Sequence, residues 1–271
     1  MLPHSDVSRL NRAGGRDVSI APETAELIKV AQSYCASSEG AFDITIGAVS
    51  ALWDFHRGIV PDRGRLAEAA QHVDWRIVKV TENGKTRQAQ LLDTRAMLDL
   101  GGIAKGWMAD RACELLQEQG LENVAISLGG NVAARGRGLD GRGWHVAIRD
   151  PAPGPESEFA PAGRKGGDSP VSAGSMGIWL RDASAVTSGT YERAFLREGV
   201  LYHHILDPRT GMPAATDAVS ATLVCRRSLD AEGFSTAVLA LGMQKGAALA
   251  RARPEIERAF LIGRDGSIAR V

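Results

Sequence analysis

Apolar positions along the chain switch between helical and strand-like spacing without settling into a regular strand–helix–strand repeat. Between 22 and 37, Ala25, Ile28, Ala31 and Gln32 recur three and four apart behind an acidic start, which predicts a helix closed by Glu39-Gly40. Residues 41–46 predict a short extended segment, 66–72 a short helix and 77–80 a strand. Asn83-Gly84 predicts a hairpin turn over 82–85, because a type I′ turn favours that residue pair. The run Ala96-Met97-Leu98 predicts a buried strand that delivers Asp99 to a Gly101-Gly102 turn and then to a helix over about 105–119, closed by Gly120. Further strands are predicted at 124–128, 144–148, 202–206, 219–225 and 258–262, with order returning at 178–180. A helix over 231–241 and an amphipathic stretch over 245–252 separate the last two strands, and Arg264-Asp-Gly-Ser predicts a closing turn. Helices and strands mixed in this way predict one α+β domain with mixed sheets and flanking helices. Residues 151–177, dense in Pro, Gly, Ser and charge, predict a flexible surface loop inserted into that domain.

Composition narrows the class. At 271 residues, 44% hydrophobic and 24% charged, the chain has the make-up of an ordinary globular protein with room for a large core. Lys+Arg and Asp+Glu both number 32, so no excess positive charge points to nucleic acid or an anionic membrane. Cys35, Cys113 and Cys225 are odd in number and far apart, which predicts buried thiols rather than disulfides or a metal cluster. No apolar run reaches membrane-spanning length, and residues 1–10 lack the basic and apolar regions of a signal peptide. Compartment is left open.

Candidate chemistry concentrates in punctuated segments. Gly101 and Gly102 let a backbone approach a ligand closely, and Lys105 in the first helical turn adds positive charge near free N–H groups. That combination suits a phosphate-bearing ligand, although Gly-Gly after a strand is equally what a tight turn looks like. Phe234, Ala237, Val238 and Leu241 form one buried stripe on the 231–241 helix, which leaves Glu232, Ser235 and Thr236 on another face. A carboxylate and a hydroxyl one turn apart can offer oxygen to a hard cation; equally, Glu232 can simply favour a helix N-terminus. Adjacent His203 and His204 point to opposite faces of a strand, so one is expected to face a site and the other solvent or core. Residues 187–189 (Thr-Ser-Gly) read as a turn-like backbone cradle, and 207–211 (Asp-Pro-Arg-Thr-Gly) as a turn.

Seven segments, GAFDITIG, LWDF, DLGGIAKGWMAD, SLGGN, VTSGTYERAF, YHHILDPRTGMPA and EGFSTAVLALG, together resemble the FAD:protein FMN transferases, the ApbE-like flavin transferases, and occur in that family's order. The resemblance implies an enzyme that binds FAD and Mg²⁺, transfers FMN to a Ser or Thr hydroxyl of a target flavoprotein and releases AMP. It implies FAD contacts from Ala41, Phe42, Asp43, Asp99 and Lys105, with Thr187, Ser188, Gly189, His204 and Ile205 lining the same pocket. It implies metal ligation by the Gly102 carbonyl, Glu232 and Thr236, joined by the Ser235 carbonyl. Either His204 or Glu232 would accept the proton of the incoming hydroxyl. Two other activities would use the same residues: FAD hydrolysis to FMN and AMP, and flavin binding without catalysis. The chain departs from the family pattern where Glu232 replaces the usual Asp. The family's N-terminal strand, helix and flavin-stacking aromatic would lie upstream of the segment matching 5–11, so either the start is misassigned or the chain is a naturally shortened member, and an export signal or anchor would fall in that region.

Overall fold

A computed structural model describes residues 2–148 and 176–271; most of the insertion read at 151–177 lies outside the described residues. Pro22 opens helix α2 (Pro22–Ser37), where its missing N–H is harmless, and Glu23 complements the positive end of the helix. Ala25, Ile28, Ala31, Tyr34 and Cys35 face the core, and Gly40 at φ 78° turns the chain away. Helices α1 (Asp6–Asn11), α3 (Gly47–Ser50) and α4 (Arg63–Ala70) are short. The longer helices α5 (Ala104–Glu118) and α6 (Ser228–Ala252) pack on each other.

A six-stranded antiparallel sheet forms the frame. From one edge to the other it runs β13 (Ile268–Arg270), β12 (Ile256–Gly263), β11 (Ala218–Cys225), β8 (Ala183–Gly189), β5 (Asn131–Arg135) and β4 (Val124–Leu128). Helix α6 lies across β11 and β8, and α5 covers β4 and β5. The main core fills the space between α2, α6 and this sheet, with Phe234, Ile28, Leu223, Leu239 and Leu261 fully buried. At roughly 1.5–3 kcal/mol per buried large apolar side chain, this cluster dominates stability. Beside it, β1 (Val18–Ser19), β3 (Thr86–Leu91) and β2 (Val78–Asn83) form a three-stranded sheet. Two two-stranded antiparallel sheets accompany these, β6 (Trp144–Ile148) with β7 (Met176–Leu180), and the hairpin of β9 (Ala194–Arg197) with β10 (Val200–His203).

Several expectations change. Residues 41–46 form turns rather than a strand, and 96–99 run extended with one bridge, Ile46 to Met97. That stretch is held by side chains and single bonds: Asn11 brackets Leu98 on both its N–H and its C=O, and the Asp99 N–H donates to the Ile44 carbonyl at 2.7 Å. The β2–β3 turn has Gly84 and Lys85 at its centre with φ positive only at Gly84, which is the type II′ pattern and not I′. Both central residues are left-handed in the β9–β10 turn instead, at Glu198 and Gly199 (φ 52° and 76°). Residues 187–189 belong to β8 in the middle of the large sheet, so they are strand and not a turn. The predicted 202–206 strand is β10, which ends at His203. The predicted loop end at 177 gives way to β7, which already includes Met176 and Gly177.

The first half of helix α6 is buried nearly all round rather than two-faced: Glu232 and Ser235 are as covered as Phe234, while Leu241 is only half-buried. Residues 245–252 are two-faced as their spacing predicts, with Ala247 and Ala250 buried and Lys245 and Arg251 exposed. Gly242 at φ 79° breaks α6 between the two stretches read from sequence, and the Asp217 carboxylate caps the second half through the Met243 N–H at 2.8 Å.

Candidate active site

The functional side chains converge on one cleft of about 920 Å³ between the sheet, the starts of α5 and α6, and the aromatic segment 53–56. Ala41, Phe42, Asp43, Asp99, Gly102, Lys105, Thr187, Ser188, Gly189, His204, Ile205, Glu232 and Thr236 all line it. Ser235 does not reach the cleft. It is fully buried beneath it, where its hydroxyl bonds Ser188 Oγ at 2.8 Å and donates to the Glu232 carbonyl at 3.1 Å.

The floor is the turn from Asp99 into α5. Asp99 Oδ1 accepts from the Gly101 N–H at 2.8 Å and Oδ2 from Ser50 Oγ at 3.2 Å, which fixes the loop. Gly102 has no Cβ because one would lie 2.9 Å from the Phe42 ring. Phe42 is in turn oriented by the Asp43 turn: Asp43 Oδ1 accepts from the Thr45 N–H and hydroxyl at 2.7 and 2.6 Å, and Oδ2 from the Trp75 N–H at 3.0 Å. Burial nevertheless raises the Asp43 carboxyl above its ordinary value, against the lowering effect of those bonds.

The start of α5 is less open to an anion than the sequence suggests. The Ile103 and Ala104 N–H groups bond the Leu100 carbonyl, and the Gly106 N–H donates to the Glu232 carboxylate. Glu232 also pairs with Lys105 Nζ, so a buried carboxylate of the protein itself complements this helix terminus. Gly106 permits the approach, since a Cβ there would lie 2.6 Å from the Ser228 carbonyl oxygen. The start of α6 is anchored separately by Asp110, whose carboxylate accepts from the Ser228 and Leu229 N–H groups at 2.9 Å each.

The β8 wall presents hydroxyls. Thr187 bonds Thr222 at 2.8 Å, and Ser188 links Ser235 to Thr236 at 2.8 and 3.4 Å. At the opposite side His204 faces the cleft and His203 lies in the core, the split expected for adjacent strand positions. Burial pushes both imidazoles down to about 4, His204 helped by the Arg193, His203 and Lys105 charges and His203 by Arg264. Both are therefore neutral at neutral pH, and Nδ1 of each is buried without a hydrogen-bond partner among the described residues.

Sequence reasoning assigned no role to the aromatic end of the cleft. Trp53 donates from Nε1 to the Gly211 carbonyl at 2.9 Å, stacks on Phe55 at 5.2 Å and contacts Tyr202 at 5.9 Å. Phe55 meets Phe195, which stacks on Tyr202 at 5.3 Å. Glu192 and Arg193 also line the cleft. The LWDF segment marked the position of Trp53 and Phe55, but their partners come from β9 and β10 and were not predictable from spacing.

This α+β frame with a glycine-turn cleft is that of the ApbE flavin transferases. The sequence model of the ApbE family matches residues 1–260, and the chain belongs to that family. The FAD:protein FMN transferase of Treponema pallidum is 36% identical over 95% of this chain and 70% of its own length. That of Klebsiella pneumoniae is 35% identical over 95% of this chain and 75% of its own. Among solved structures, the ApbE protein of Thermotoga maritima superposes with a TM-score of 0.81 at 28% identity, covering 98% of this chain and 81% of that one. The flavinyl transferase ApbE of Pseudomonas stutzeri does so with a TM-score of 0.79 at 27% identity, covering 99% and 78%.

Proposed function

We propose that this chain is a flavinyltransferase that takes FMN from FAD, joins it through phosphate to a Ser or Thr hydroxyl of a target flavoprotein, releases AMP and requires Mg²⁺. The observation that carries this reading is the convergence of Lys105, Glu232, Thr236 and His204 in one cleft whose floor is a glycine turn. The protein names of the relatives from Treponema pallidum and Klebsiella pneumoniae support the same reaction.

The oxygen set of the cleft fits a hard cation: the Glu232 carboxylate, the Thr236 hydroxyl and the backbone carbonyl of Gly102, with ligand phosphates completing it. Ser235, which the family resemblance adds to the set, lies beneath the cleft. Lys105, which pairs with Glu232, is 43% exposed in its side chain and has a long flexible stem, so it can move aside without unfolding anything. Bound Mg²⁺ would neutralise charge on the pyrophosphate as its bridging oxygen departs. The remaining work belongs to the protein. Lys105 supplies positive charge at the phosphates, and the rigid 99–102 turn positions them. Of the two candidate bases, Glu232 has both oxygens engaged by Lys105 and Gly106. His204 lines the same cleft, so the proton of the attacking hydroxyl is assigned to it; the burial that keeps its imidazole neutral also makes it a weak base.

The test is AMP release from FAD with Mg²⁺ and with EDTA, run with an acceptor domain whose covalent flavin is read by fluorescence after denaturation. Mg²⁺-dependent AMP with a labelled acceptor is expected, falling about 10–100-fold in Glu232→Ala and Thr236→Ala. AMP without a labelled acceptor would replace transfer by hydrolysis, and full activity in both variants would overturn the assigned cation site.

A further inference from the structure

The β9–β10 hairpin grows out of the cleft wall: Arg193, just before β9, and His204, just after β10, both line the cleft. The His204 N–H donates to the Arg193 carbonyl at 3.0 Å, which makes 193 and 204 a hydrogen-bonded pair. Antiparallel pairs alternate, so Phe195–Tyr202 and Arg197–Val200 are bonded pairs too, whereas Ala194–His203 and Leu196–Leu201 are not. The N–H and C=O of Ala194 and Leu196 therefore point away from β10, and they take no backbone partner among the described residues. The β9 edge is also the more open one, with Leu196 at 58% exposure. Inside the hairpin the stack of Phe195 on Tyr202, buttressed by Phe55, holds it rigid.

Building on the transferase reading, we propose that the outer edge of β9 docks the acceptor protein, by pairing with an extended segment of it that carries an apolar residue against Leu196. Bare edge strands are ready templates for added strands, and a preformed one costs little ordering entropy. From Leu196 to Arg193 is three residues, about 10 Å of strand, so a segment anchored at Leu196 reaches the cleft mouth within one short stretch. A hydroxyl side chain a few residues along that segment then comes to the cleft mouth beside Arg193, and the chain beyond it turns into the cleft. The FAD half of the reaction needs none of this edge.

Two measurements test the proposal, both using a recombinant acceptor domain that the wild-type chain flavinylates. Hydrogen exchange of the Leu196 amide in the wild-type chain is expected to slow when acceptor is added; unchanged exchange under saturating acceptor overturns the proposal. Leu196→Pro removes an N–H that the hairpin does not use, so the hairpin persists while docking loses a bond. Acceptor labelling at subsaturating acceptor is expected to fall about tenfold in Leu196→Pro and severalfold in Leu196→Ala, which keeps the N–H but loses the apolar contact. Wild-type labelling by Leu196→Pro, its fold confirmed by FAD binding, would overturn it; should that variant misfold, the exchange measurement decides. Protection that grows with enzyme concentration and no acceptor would assign the edge to a second copy of this chain and also overturn it. Failure of the wild-type chain to label any acceptor sinks the transferase reading itself, a different outcome from labelling without protection at Leu196.

Discussion

Gly106→Ala sets two effects of opposite sign against each other. In an exposed helix the change stabilises by about 1 kcal/mol, because alanine loses less backbone entropy. Here the new Cβ would sit 2.6 Å from the Ser228 carbonyl oxygen, 2.8 Å from Leu229 Cα and 2.9 Å from Leu229 N. All three are backbone atoms at the start of α6, where Asp110 holds the Ser228 and Leu229 N–H groups, so no side chain can rotate away. Restoring ordinary contact from 2.6 to 3.4 Å requires the helices to part by about 0.8 Å. Overpacking of that kind costs roughly 1–3 kcal/mol, and weakening the bond from the Gly106 N–H to the Glu232 carboxylate adds about 1.5–3 kcal/mol. The net expectation is a loss of about 1.5–5 kcal/mol, read as a lower urea midpoint at constant slope, together with weaker FAD binding. Gly64→Ala in α4 is the contrast, since a Cβ there meets only Asp62 Oδ1 at 3.1 Å. The gain in helix propensity is set against pressure on the cap that Asp62 makes to the Arg65 N–H, and the change is expected to stay within about 1 kcal/mol. A Gly106→Ala protein as stable as wild type would refute the account of how α5 and α6 meet.

The two buried histidines make stability acid-sensitive. Their folded values, about 4, lie below the ordinary 6.5, so the unfolded chain binds more protons and stability present above about pH 6.5 is lost as pH falls toward 4. Two such protons give a steepest contribution of about 2.7 kcal/mol per pH unit; His203→Leu is expected to reduce the slope by about half of that, and an unchanged slope would contradict it. Asp43→Ala strands the Thr45 and Trp75 donors and is expected to cost about 2–4 kcal/mol in urea denaturation, whereas Asp43→Asn, which keeps an acceptor, should cost less.

Elements whose information is local were legible in the sequence. The spacing of Ala25, Ile28 and Ala31 and the Pro22 start define α2 to the residue, and 124–128 and 144–148 emerge as β4 and β6 unchanged. Among the strands that went unread, β5 and β8 are dominated by Ala, Ser, Asn and Gly, residues with weak strand preference, with a single Val in each. They are strands because both their edges are paired, β8 between β11 and β5. Small side chains there let α6 lie close, a requirement of packing that no periodicity records. The reverse error occurred at 96–99, where an apolar run looked like a strand but its backbone is held by Asn11, 87 residues away from Leu98. In the site, the segments and their residues were readable, while the engagement of Glu232 by Gly106 depends on two helices meeting and was not.

The position of β8 bears on how this protein family can diversify. A strand bonded along both sides cannot change length, register or direction without dismantling the sheet, so the Thr187–Ser188 wall is a fixture that substitution can tint but not reshape. The β9–β10 hairpin opposite is tied to the fold through its base and its aromatic face, and its tip at Glu198-Gly199 is free to lengthen or shorten. Divergence among relatives should therefore accumulate at the hairpin tip, residues 196–201, far faster than in 183–189 or in the cleft-lining ends of the same hairpin at Arg193 and His204.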